Sequence, residues 1–221
     1  MKTLLLVLLA SLTCWAEIID RIAVVVGKAV ITESEILREI RLTAFLNGEP
    51  LNFSPVAKRK TAERLVEQRL IGNEITASLY ALPSEAAAQE MLKQIKDRFP
   101  NPAAYQEELM RVGVTEDELK AHLARQLATL SFLDLRFRPG IQIGEDEMRK
   151  YFSERLAPEL KKTKPGDQFS LNDFRSQVRE ALIGERMDIA SDAWLKQARE
   201  RTRIDFRADV FASEPPKEAS K

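Results

Sequence analysis

Helix punctuation constrains this chain more than any other feature of its sequence. Ser54-Pro55 and Asn101-Pro102 each set a capping side chain directly before a proline. Proline suits the first helical position, because the N–H it lacks has no intrahelical partner there. Thr32 and Thr115 are followed three residues later by Glu35 and Glu118, the spacing of a capping box in which side chains and backbone satisfy each other's orphan donors. Ser84 and Ser170 are further caps, while Gly48, Pro100, Gly113 and Pro139-Gly140 supply stops. A chain punctuated this way is cut into helices of defined length.

Between these marks apolar residues recur at helical spacing. Ile36, Ile40 and Phe45 form the first stripe, and Ala62, Leu65, Val66, Leu70, Ile71, Ile75 and Leu79 the second, on a helix running to about Tyr80. Met91, Leu92 and Ile95 mark a third helix, a short fourth ends at Gly113, and Leu119, Leu123, Leu127, Leu130 and Leu133 mark a fifth. A charged helix is predicted from Glu145 to about Leu160. A long last one, capped by Ser170, runs to about Arg201 and buries Phe174, Val178, Leu182, Ile189, Ala193 and Trp194. Ile18 to Val26 and Ala29 to Ile31 are β-branched runs split by the turn pair Gly27-Lys28, and they predict a hairpin. Ile141 to Ile143 reads as a brief extended piece, and Ile204-Asp205-Phe206 with Val210-Phe211 as a closing strand region. No fixed period repeats, so a solenoid is not indicated.

Composition narrows the chemistry. Lys+Arg 34 balance Asp+Glu 34 over 221 residues, without the basic excess from which phosphate neutralisation draws its affinity, so nucleic acid is not an expected partner. One Cys and one His rule out a disulfide framework, a thiolate zinc site and a two-histidine active site. No phosphate loop, nucleophile elbow or metalloprotease motif is present, and neither a catalytic residue nor a metal or other cofactor is implied. His122, mid-helix, reads as an ordinary surface or cap-side histidine. The acid runs Glu116-Asp117-Glu118 and Glu145-Asp146-Glu147 read as helix starts. Lys58-Arg59-Lys60, Arg64 and Arg69 are interleaved with Glu63 and Glu67 and read as a solvated face.

The amino terminus carries a targeting pattern. Lys2 precedes the apolar run Leu4 to Ala10, too short for the ~20 residues that span a bilayer, and Cys14 and Ala16 fit the small positions of a signal peptidase site. The expectation is an exported, periplasmic chain with a signal peptide over 1–16 and Glu17 as its first mature residue. Lipidation of Cys14 is the alternative. Pro215 to Lys221 have the composition of a disordered tail, assigned to 212–221.

The order of these pieces resembles a known family. Ile19 to Ile36, Leu65-Val66-Glu67-Gln68-Arg69-Leu70-Ile71 followed by Leu82-Pro83-Ser84-Glu85, and Val114 to Leu119 leading into Gln126 to Leu130 are similar to successive parts of the SurA and PrsA-type periplasmic chaperones. The resemblance covers roughly residues 17–160 and resumes over 170–211. It implies a mainly α fold, a multi-helix chaperone core with a small β element in which the first and last strands pair and the closing helix packs back on the amino-terminal helices. It divides the chain into an N-terminal helical domain (17–160), a linker (161–169) and a C-terminal helix and strand (170–211). Typical members insert parvulin-type prolyl isomerase domains where this chain has only Lys161 to Phe169, so no isomerase activity, and no enzyme, is expected.

The implied function is an ATP-independent holdase for unfolded exported proteins, outer-membrane β-barrel proteins above all. The alternative is an envelope structural or adaptor protein using the same core for one fixed partner. Apolar positions that the helix stripes explain least are the candidate client-binding residues: Phe45, Leu46, Phe53, Tyr80, Met91, Phe99, Tyr105 and Met110. Docking of the closing helix on a second chain would give a homodimer by domain exchange.

Overall fold

The structure is a computed structural model that describes residues 20–78, 83, 85–163 and 167–212. The expected leader (1–16), Leu79, Tyr80 and nearly all of the expected tail lie outside the described residues. The fold is mainly helical with one small antiparallel sheet. Strands β1 (Ile22–Val26) and β2 (Ala29–Thr32) form the hairpin, and β3 (Ile204–Phe206) pairs antiparallel with the other edge of β1, giving the order β2-β1-β3. Gly27 sits at φ 61, a left-handed conformation that glycine adopts without steric cost. From there its N–H donates to the Arg203 carbonyl at 2.8 Å, tying the turn to the carboxy-terminal strand.

A bulge between Ile22 and Val24 breaks the alternation of β1, so Ala23 and Val24 are both fully buried. The ladder with β3 has Phe206 with Val24 as its last pair, followed by a bond from the Arg207 N–H to the Ala23 carbonyl at 2.9 Å. Val210-Phe211, expected as strand, is instead part of a short helix, Ala208–Phe211, that folds Val210 into the core beside the sheet, where burying that apolar side chain outweighs further strand pairing. Ile141 to Ile143, expected as a brief extended piece, is no part of the sheet, whose order is β2-β1-β3.

Helix α1 (Glu33–Asn47) begins at the capping box, where Thr32 Oγ1 accepts from the Glu35 N–H and Glu35 returns the bond to the Thr32 N–H; Gly48 at φ 67 closes it. Helix α2 (Pro55–Ala77) starts at Ser54 as expected. Helices α3 (Glu85–Lys96), α4 (Pro102–Val112) and α5 (Glu116–Phe137) follow, α4 capped by Asn101 and closed by Gly113, and α5 opened by the Thr115–Glu118 box. Helix α6 (Glu145–Tyr151) continues through a π-helical turn, Phe152–Leu156, into α7 (Ala157–Thr163), which takes up the first residues expected as linker. Helix α8 (Leu171–Arg201) has 31 residues and so is about 47 Å long. No helix of the described residues is long and apolar enough to cross a membrane.

Two apolar cores share α1. Its first half, Ile36 and Ile40, joins the sheet, Ala62, Val66 and Leu70 of α2, and Val210. Its second half, Leu42 and Phe45, joins Leu92, Ile95, Tyr105, Leu109, Leu119 and Leu123 from α3, α4 and α5. Helix α8 belongs to neither along most of its length. Val178 is its one fully buried residue, while Ile189 (70% exposed) and Ala193, expected in its stripe, face outward. Contacts at the two ends of α8 hold it instead. Phe174 stacks on Phe152 and meets Phe169, while Trp194 packs on Phe132 and Phe137 under the Arg136 guanidinium. Along its flank Arg175 pairs with Glu145, Arg186 with Glu147, Glu180 with Arg138 and Glu185 with Arg155.

Candidate functional site

Most of the expected client-binding residues form a core. The rings of Phe45, Phe99 and Tyr105 lie 5.4 to 6.0 Å apart, centre to centre, within the range of favourable aromatic pairs. Phe45 and Tyr105 are buried, and Leu46, Met91 and Phe99 pack half-buried against the same cluster. Phe45 and Tyr105 therefore have no surface to offer a client in this fold, because α1, α3 and α4 converge on them. Phe53 is exposed beside the Arg41 guanidinium, and Met110 is exposed on the outer face of α4.

The apolar surface lies elsewhere, on residues that sequence spacing assigns to buried stripes. A cavity of ≈ 400 Å³ opens between α2 and α5, walled by Ile75, Ala128 and Leu130 with Gln68, Thr76, Gln126 and Thr129 among them. A second, of ≈ 550 Å³, opens between α5 and α8, lined by Leu130, Leu133, Leu135 and Met187. Leu130 belongs to both and is 59% exposed, so the two troughs meet across α5. The stripe of α5 continues through Leu127, Leu130 and Leu133 at helical spacing, but α2 and α8 leave part of it uncovered. Each trough also holds a glycine from the interior of a helix, Gly72 in α2 and Gly184 in α8; a Cβ on either would meet nothing within 4 Å.

On the other side of the α2/α5 contact lies a polar cavity of ≈ 430 Å³, which shares Gln68, Gly72, Thr76 and Arg125 with the apolar one. Between them Glu39 of α1 and His122 of α5 meet, Glu39 Oε2 standing 3.2 Å from His122 Nδ1, both residues buried. His122 is thus not the surface residue its helix context suggests. Burial pushes the Glu39 carboxyl up, but the hydrogen bond from His122, with the Arg64 and Arg125 guanidinium groups nearby, outweighs it and holds Glu39 below the usual carboxylate range. The carboxylate accepts a hydrogen bond from Nδ1–H and so orients the ring. His122 Nε2 is buried without a hydrogen-bond partner.

A signal for this pair exists in the sequence. Glu39 falls between Ile36 and Ile40, and His122 between Leu119 and Leu123, so each polar group occupies a place in an apolar stripe. Chemically, the pair offers an oriented imidazole edge. Among the described residues no group of three or more His, Cys, Asp or Glu could hold a metal ion. No protein-family model and no curated protein matches the chain.

Proposed function

We propose that the protein is a SurA-like, ATP-independent holdase of the periplasm that shields unfolded exported polypeptides, outer-membrane β-barrel proteins first among them, and carries no prolyl isomerase. The observation that carries this reading is the pair of apolar troughs meeting at exposed Leu130, a surface formed by three helices and left uncovered. Their volumes fall in the range of sites that enclose a few side chains. Burying one client aromatic removes ~150–250 Å² from water, about 4–6 kcal/mol gross at ~25 cal/mol per Å². Ordering the client offsets much of that, which leaves binding weak enough to be released by the client's own folding. The pairing of first and last strands and the return of the closing helix support the same reading.

The test is light scattering of a urea-diluted outer-membrane β-barrel protein with and without the purified chain. Suppression of aggregation near one-to-one ratio, with no binding to the folded barrel, is the expected result. Unchanged aggregation of every unfolded client would reject the holdase and point to one dedicated partner.

A further inference from the structure

The α2/α5 cavity has polar chemistry that a purely apolar cradle does not need. His122 is 2% exposed and lines this cavity, with its Nε2 unpartnered on the ring edge away from Glu39. A buried nitrogen left without a partner is costly unless something else satisfies it. Arg125, exposed and shared by the polar and apolar cavities, lends its charge to Glu39 from the cavity rim. The remaining polar lining is neutral, Gln68, Gln126, Thr76 and Thr129, all of them groups that donate and accept alike.

Gly72 is the second observation. A glycine inside a helix lowers stability relative to alanine, and close helix packing does not explain it here, because a Cβ would meet nothing within 4 Å. Gly72 lines both cavities, the one that His122 lines among them. Glycine in that setting lets another backbone approach the helix closely.

We propose that the cavity between α2 and α5 is a main-chain recognition subsite, in which an extended client segment lays a peptide unit against Gly72, its N–H donating to His122 Nε2 and its carbonyl accepting from Arg125. The proposal rests on the holdase reading and deepens it. Side-chain amides and hydroxyls pair with peptide groups of any sequence, and Ile75 and Leu130 take whichever apolar side chain follows. A client class defined by being unfolded, rather than by sequence, would be recognised this way.

The probe is a fluorescein-labelled peptide alternating Tyr with Ser and Lys, alongside the same peptide N-methylated at alternate residues, each titrated with the full chain by anisotropy. Gly72→Ala is expected to raise Tm by about 2–4 °C and yet weaken peptide binding about tenfold or more. His122→Asn, whose amide still reaches toward Glu39 but has no Nε2, is expected to show a similar loss, and the N-methylated peptide to bind the wild type more weakly. Gly72→Ala and His122→Asn binding like the wild type, or equal affinity for the two peptides, would overturn the subsite while aggregation suppression by the wild type keeps the holdase standing. If His122→Asn fails to fold, Gly72→Ala and the peptide pair decide. A wild type that neither binds peptide nor suppresses aggregation overturns both readings.

Discussion

Glu39 and His122 show what a single buried contact does for this molecule. The carboxylate lies between two cores and is out of solvent, where an unpaired charge would be strongly unfavourable. Removing its oxygens strands His122 Nδ1 as well as Nε2. Glu39→Ala is expected to destabilise by about 3 kcal/mol, and Glu39→Gln by less, since an amide oxygen still accepts; urea titration of the three proteins measures both. The pH dependence has a defined sign. The folded-state value of Glu39 is lowered, so its stabilisation is complete above the ordinary glutamate range near ~4.3 and is lost as pH falls through the lower folded-state value. The stability gap between wild type and Glu39→Gln is expected to narrow below about pH 4. A gap that stays constant there would mean that Glu39 is not ionised in the fold.

At the scale of elements, α5 has two characters. Its first half is buried through Leu119, His122 and Leu123, and its second half is held by Phe132 and Phe137 against Trp194 and by the Arg136–Glu74 pair, with Leu130 and Leu135 59% and 47% exposed. Neither exposed leucine holds the helix together, so replacing both with glutamine, itself a good helix former, is expected to change stability by about 0.5 kcal/mol per site at most. The double variant is expected to lose about tenfold or more in client affinity, since each leucine contributes ~1.5 kcal/mol or more when fully covered. Met91→Gln should do the opposite, lowering Tm while folded protein still suppresses aggregation, because Met91 packs on the second core. Both outcomes are read from melting curves paired with the light-scattering assay. Helix α8 is held differently, by aromatic knots near its ends and exposed ion pairs along its flank. Such pairs contribute little and are screened by salt.

For the whole molecule, the sheet is the closure. Strand β3 and the short helix behind it bring Phe206, Val210 and Phe211 onto the first core, and Arg59 lies 3.6 Å over the Phe206 ring. Ending the chain after Thr202 removes these side chains together with the outer partner of β1. Burial of that kind is worth about 1.5–3 kcal/mol per side chain, a sum comparable to the stability of a domain this size. The truncated protein is expected to lose its cooperative melting transition by circular dichroism. Because α1 passes from one core into the other, the second core should be lost with the first, and a surviving transition would show that the two cores fold separately.

Much of this is legible in the sequence itself. The starts of α1, α2, α4 and α5, their glycine stops and the first turn follow from interactions within three or four residues, which the chain encodes locally at Thr32, Ser54, Asn101, Thr115 and Gly27. The stripes were legible as stripes, but not what would cover them. Phe45 and Tyr105 are buried because three helices converge on them, and Leu130 and Ile189 stay open because none of the described helices packs over them. His122 is oriented by Glu39, 83 positions away in the chain. Which face is covered, and which polar groups meet, depends on elements far apart in sequence, and only their packing decides it.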